Sequence, residues 1–177
     1  MFLPLIEKRR SIRKYLDKKV EKEKIDALVE AALRSPSSRG FNPWEFIVVT
    51  DPDLLEKLSK SKSHGATFLK NAPLGIVVIG DPGKADTWVE DTSIASIFIH
   101  VAAESLGLGS CWIQIRGRMH DDTKSAKEYI CDLLSIPKDL EIESIIAIGY
   151  PNQKLPPHLK DELQYEKVHY EGYGKKE

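Results

Sequence analysis

The 177-residue sequence has no apolar run approaching the ~20 residues of a membrane-spanning helix. That excludes a helical membrane span and leaves no membrane partner to expect. It has only two cysteines, Cys111 and Cys131, in neither a CxxC pair nor a zinc-ligand spacing. Two reduced thiols and a cytoplasmic location are the expectation. Charge of one sign is not in excess either, since 26 Lys and Arg face 27 Asp and Glu for a formal net charge of −1. Generic nucleic-acid binding needs a field of Lys and Arg, so nucleic acid is excluded as a partner. Catalytic signatures are missing as well. No GxSxG elbow occurs, and the five histidines form no HExxH or facial-triad spacing, so no metal site is expected. The N-terminal "MFLPLIEKRR" puts its apolar residues before its charges, the reverse of a secretory signal.

What is present reads as one domain over residues 1–177, with a distinct tail over 150–177. In "KIDALVEAALRSP", Ile25, Leu28, Val29, Ala32 and Leu33 keep helical spacing, and Pro36 ends the helix. "WEFIVVT" is β-rich, and "DPDLLEKL" starts a helix with Asp51 as cap and Pro52 first. "APLGIVVIGD" suits a strand covered on both faces. "DTSIASIFIHVAAESLG" predicts a long helix on which Ile94, Ile97, Phe98, Val101, Ala102 and Ser105 share a face. Asp91 is its expected cap and Gly107 its stop. "GSCWIQI" is a strand, "DDTKSAKEYICDLLSI" a helix and "EIESIIAIGYP" a final strand. Helices alternating with buried strands indicate an α/β layered domain. The tail has Pro156 and Pro157 but also Tyr165, Val168, Tyr170 and Tyr173, too aromatic for a solvated coil, so it is expected to dock on a surface.

Three stretches carry candidate chemistry, each with a plainer reading. In "EKRRSIRKY", Arg9, Arg10, Ser11 and Arg13 are either solvated charge or a socket for an anion, because guanidinium groups bind phosphate oxygens multidentately. In "SPSSRGFNPWEF", Ser35, Ser37, Ser38, Arg39 and Asn42 make either a polar ligand loop or an ordinary connection. In "LGLGSCWIQIRG", Trp112 and Gln114 either line a ligand site at a strand end or pack in the core. The two glycines there follow a helix and precede a strand, the wrong order for a dinucleotide fingerprint. "MHDD" at 119–122 reads as the capped start of a helix rather than a metal site.

Together, "EKRRSIRKY", "ALRSPSSRGFNPWEFIVV", "WVEDTSIASIFIHVAAESLGLGSCWIQ" and "IIAIGYP" resemble, in order and spacing, the FMN-dependent nitroreductase family. The resemblance covers nearly the whole chain. It implies an α+β fold, a three-layer α/β/α sandwich, assembled as a homodimer with a C-terminal arm wrapping the partner subunit. It also implies FMN in two interface pockets, NADH or NADPH as reductant, and a small-molecule electron acceptor such as a nitroaromatic or quinone, in ping-pong order. Carried over by position, Arg9, Arg10, Ser11 and Arg13 hold the phosphate, ribityl chain and pyrimidine edge. Arg34 is a further flavin contact, and Pro36, Ser37, Ser38 and Arg39 form a loop that meets FMN partly across the interface. Trp112, Ile113 and Gln114 lie beside the isoalloxazine ring. Lys167, with Lys160 as the other candidate, supplies a late phosphate contact. Gly40 and Asn42 depart from the Asn and Gln of many members. No protein acid or base is named as catalytic. The alternatives are an FMN-binding protein without turnover, or a relative running flavin reduction or reductive dehalogenation.

Overall fold

The apolar runs form four strands, β1 (Trp44–Val49), β2 (Leu74–Gly80), β3 (Gly109–Gln114) and β4 (Glu141–Gly149), in a computed structural model that describes residues 2–176. They pair in the order β1-β2-β4-β3, and every pair is antiparallel. The continuous apolar character of β2 and β4 is thereby explained, because they occupy the centre of the sheet and are covered on both faces. All of β2 is buried, and all of β4 beyond Glu141.

Five α-helices occur among the described residues: α1 (Phe2–Lys8), α2 (Lys22–Leu33), α3 (Pro52–Ser59), α4 (Trp88–Ser105) and α5 (Ala126–Leu134). Leu55 and Leu58 of α3 and Ile130 of α5 join Val77, Ile113 and Ile145 in a core on one face of the sheet. Leu28 of α2 and Ile99 and Ala103 of α4 join Ile76, Val78 and Ile146 on the other. The result is the expected α+β sandwich of three layers, α/β/α.

Local chemistry sets several ends as the residues foretell. Asp51 accepts from the Leu54 N–H at 2.8 Å with Pro52 in the first turn. Gly107, at φ +71°, takes the left-handed position just past α4. Two expected caps are corrected. Helix α4 begins at Trp88, before Asp91, so Asp91 lies buried inside its first turns rather than at its cap. "MHDD" does not begin α5 either. Asp121 accepts from the Thr123 and Lys124 N–H groups in a turn, and the cap is Ser125, which forms a capping box with Glu128.

The apolar face of α4 holds a larger surprise. Ile94, Ile97 and Phe98 do share a face, but it points away from the sheet, and they are 37%, 53% and 39% exposed. The side packed against the sheet is Ala95, Ser96, Ile99, His100 and Ala103, whose smaller members let the helix axis lie close. Phe2, Leu3 and Ile6 of α1 are exposed too, and α1 packs against α4.

Past α1 the chain crosses the start of β3 and the end of β4. Ser11 bridges Ser110, the Ile12 N–H bonds the Ser110 carbonyl at 2.9 Å, and the Leu16 N–H bonds the Tyr150 carbonyl at 2.9 Å. This crossing depends on glycine. A Cβ at Gly109 would stand 2.7 Å from the Ile12 Cβ, and one at Gly149 would stand 2.9 Å from the Tyr15 Cδ1. The basic stretch is therefore clamped onto the outer edge of β3.

Candidate functional site

The crossing brings Arg9, Ser11 and Arg13 around Cys111 on β3. Burial pushes the Cys111 thiol up, and the nearby Arg13 and Arg9 charges and a hydrogen bond from Ser11 only partly offset it, so this sulfur is a poor nucleophile. The Arg13 guanidinium lies 5.8 Å from the centroid of the Phe68 ring. Arg10 donates to the Pro156 carbonyl, tying the start of the tail to the cluster. The Arg13 and Lys14 N–H groups bond Gln153 Oε1 at 3.2 and 2.9 Å.

One residue of this cluster has no counterpart in the sequence reading. Lys62, in the loop after α3, donates from Nζ to the Gln114 carbonyl at 3.0 Å. Burial and the positive charge of Arg118 push its pKa down, and Cys111 is also among its electrostatic neighbours. Nothing in "SKSKSHG" separates it from a solvated lysine, because its position is set by the contact between that loop and the far edge of the sheet. Among the described residues, Arg9, Arg10, Arg13, Lys62 and Arg118 have no carboxylate within ion-pair distance. Some cations elsewhere are neutralised, as Arg34 by Glu30 and Lys60 by Glu56, so what marks this set is the gathering of Arg9, Arg13 and Lys62 at one strand edge.

The edge of β3 adds a directed donor. Its alternation turns residues 110, 112 and 114 to the outside, where Ile12 N–H caps the Ser110 carbonyl and Lys62 caps that of Gln114. Between them the Trp112 N–H faces outward and meets no backbone partner among the described residues. The side chains of this strand are already committed. Trp112 Nε1–H donates to Gln114 Oε1 at 2.9 Å, and Gln114 Nε2–H donates to the Arg116 carbonyl at 3.1 Å. Glu143, 2% exposed, accepts from Arg116 Nε at 2.8 Å beside that amide. Ile113 points its side chain into the core and its backbone groups toward β4, where it pairs with Ile145, so it offers a ligand at this edge neither. Beneath Trp112, the His100 ring stacks at 6.4 Å and shares a 2.7 Å hydrogen bond with Ser110 Oγ.

The second loop lies elsewhere in the chain. Ser38 N–H bonds Asp91 Oδ1 at 2.9 Å, anchoring the loop to the start of α4. The basic cluster reaches α4 at His100, roughly 14 Å further along the helix axis. Ser37 Oγ–H donates to Asn42 Oδ1 at 2.8 Å and accepts from the Asn42 N–H at 2.9 Å, closing the loop on itself. Arg39 holds φ 51°, a left-handed conformation costly for a side chain of this kind. Pro36 and Arg39 are exposed, and Arg34 is exposed and paired with Glu30. One chain thus joins Arg9, Ser11 and Arg13 to the strand carrying Trp112, Ile113 and Gln114, but not to Arg34, Pro36, Ser37, Ser38 or Arg39. Lys167 sits in a short 3₁₀ turn of the exposed tail and makes no hydrogen bond to the cluster among the described residues.

The class is thus a three-layer α+β sandwich with cationic side chains gathered at the open edge of its sheet, an arrangement suited to an anionic group. The chain belongs to the Nitroreductase family, whose model matches residues 6–66 and 60–150. An FMN-dependent nitroreductase from Clostridium difficile superposes with a TM-score of 0.95 at 49% identity, covering 97% of this chain and 99% of its own. A protein of Archaeoglobus fulgidus, provisionally named an NADH dehydrogenase/NAD(P)H nitroreductase, is 36% identical over 174 residues, 96% of this chain and 97% of its own. An NADH dehydrogenase of Thermus thermophilus is 36% identical over 189 residues, 85% of this chain and 87% of its own. No helix among the described residues is long and apolar enough to cross a membrane, and no group of three or more metal-ligating side chains occurs among them.

Proposed function

We propose that this protein is an FMN-dependent oxidoreductase that takes reducing equivalents from NADH or NADPH. The observation that carries the reading is the gathering of Arg9, Arg13 and Lys62, none with a carboxylate partner among the described residues, at an edge strand with an outward N–H. FMN fits that set. Its phosphate calls for Arg9, Arg13 and the Ser11 hydroxyl, and its ring carries carbonyl and nitrogen acceptors suited to the Trp112 N–H. When bound, FMN supplies the hydride chemistry, accepting from the nicotinamide and passing electrons in ping-pong order to a nitroaromatic, quinone or related acceptor.

What the chain itself supplies is binding, orientation and charge. The committed Trp112–Gln114 pair fixes the strand end, and the Ser110–His100 contact fixes the floor beneath it. The cationic surroundings favour negative charge on a ligand that receives electrons. His100 is held neutral, at about 4, by burial and by Arg9, and Cys111 is held as the thiol. Neither serves as base or nucleophile, which agrees with a reaction whose chemistry resides in the cofactor.

The functional unit in this reading is a homodimer. The outward face of α4 supplies the interface, and the loop at residues 36–39 meets the cleft of the other chain, which resolves its distance from the cleft of its own. The arm over residues 150–177 is held to its own chain as far as the His158 N–H, which bonds the Glu7 carbonyl, and crosses to the partner beyond it, with Leu159, Tyr165, Val168 and Tyr170 as exposed anchors; Lys167 then reaches the phosphate from there. An Ile97→Glu variant should shift sedimentation from dimer to monomer, keep its helical circular dichroism and lose flavin. A dimer that persists in Ile97→Glu would move the interface elsewhere.

The test of the activity is an anaerobic titration of the FMN-loaded protein with NADH and then NADPH. Bleaching of the visible flavin band by either is the expected result. Bound FMN that neither nicotinamide reduces would leave a flavin-storage protein instead.

A further inference from the structure

Lys62 arrives at the open edge of β3 from a loop roughly fifty residues away in sequence, and three observations set it apart from an ordinary surface lysine. Its position is built. The Lys60 carbonyl, two residues earlier, shares a 2.8 Å hydrogen bond with His120 Nδ1. The His120 ring stacks on Tyr129 at 4.1 Å, and the Tyr129 hydroxyl donates to the Lys57 carbonyl at 3.1 Å. The intervening Ser61 is fully buried. The loop carrying Lys62 is therefore pinned to α5 at its root.

Its donors are also only partly used. One N–H of the ammonium goes to the Gln114 carbonyl, and no other hydrogen bond or ion pair engages the remaining two among the described residues. Finally, it shares Cys111 as an electrostatic neighbour with Arg9 and Arg13. Its bond to the Gln114 carbonyl places it on the same edge of β3 as the residues proposed to hold the cofactor, two residues along the strand from the free Trp112 N–H.

We propose that Lys62 is a further cofactor-contacting residue, whose ammonium hydrogen-bonds the bound flavin and favours its reduced form over its oxidised form. This rests on the FMN reading above. Uptake of a hydride from NADH or NADPH adds two electrons and one proton to the ring, leaves one negative charge on it and oxidises the nicotinamide. A fixed, half-buried cation stabilises that charge more than a solvated one, because the surrounding dielectric is lower. A lysine that merely caps the strand edge would treat the two oxidation states alike.

The experiment compares wild type with K62M, K62Q and K62R, each loaded with FMN. Affinities for oxidised and reduced FMN are obtained from flavin titrations and an anaerobic redox titration against a reference dye. K62M and K62Q are expected to lower the ratio of reduced to oxidised affinity on the order of tenfold, while K62R stays within about threefold of wild type. K62Q keeps a donor for the Gln114 carbonyl and guards against a K62M protein that folds poorly. An unchanged ratio in K62Q, whatever happens to its melting temperature, would overturn the role of Lys62 and leave the FMN reading intact. Wild-type protein that binds no FMN would overturn both, and that is measured before any variant.

Discussion

The Arg9→Ala/Arg13→Ala double variant is expected to bind FMN about 10²–10⁴-fold more weakly than wild type, with little loss of fold stability. The magnitude follows from removing two charge-assisted contacts worth roughly 1.5–3 kcal/mol each. The small effect on folding follows from what these side chains do not do. Neither has a carboxylate partner among the described residues that would be stranded by the change. Arg13 is exposed, and its contact over Phe68 is worth about 0.5–1 kcal/mol at such a site. The backbone of the crossing stays in place through the Ile12–Ser110 and Leu16–Tyr150 bonds, which use no arginine side chain. Titration of the apoprotein by flavin fluorescence, at two salt concentrations, measures the loss. The variant should also show a shallower salt dependence, because it presents fewer cations to the phosphate. Wild-type affinity in the double variant would remove the cluster from the site. Arg10 is the exception, since its guanidinium already bonds the Pro156 carbonyl and its removal loosens the tail as well.

The basic cluster was legible because its residues are consecutive and their chemistry is unusual for a chain without net positive charge. Strands β2 and β4 were legible because burial on both faces leaves an uninterrupted apolar run. Strand order was not, since hydrophobic pattern reports burial and not neighbours. The alternation of helix and strand is equally compatible with parallel pairing, whereas every pair here is antiparallel. The face of α4 is the most instructive case. Periodicity correctly grouped Ile94, Ile97 and Phe98, but the chain's own sheet takes the opposite side, with Ser96 and His100 on it. An apolar stripe says that a face is to be covered, not by what. Lys62 left no trace at all, because a lysine in a polar loop acquires meaning only from the strand edge brought against it.

His100 shows how a residue without a motif shapes both stability and the site. Its ring is 4% exposed, and burial with the neighbouring Arg9 charge lowers its pKa from 6.5 to about 4. Between those two values the unfolded chain binds a proton that the folded chain refuses. Stability is therefore unaffected by this group above about pH 6.5, and it falls as the pH drops from there toward 4. The accumulated loss is roughly 3 kcal/mol, since each pKa unit corresponds to about 1.4 kcal/mol. Replacing the ring by the non-titrating amide of His100→Gln keeps a partner for Ser110 Oγ and removes the proton uptake. Urea midpoints measured from pH 7.5 down to about 4 should then fall less steeply in His100→Gln than in wild type. Carboxylates elsewhere titrate in both proteins, so the difference between the two curves isolates the imidazole. Parallel curves would mean that the ring takes up its proton without cost, through a rearrangement that opens the contact with Trp112. Absence of charge at His100 has a second consequence for the cleft. A charged ring beneath Trp112 would add another cation next to Arg9 and fix Nδ1 as a donor to Ser110 Oγ. A neutral ring keeps the arginines as the source of charge and the strand as the source of position.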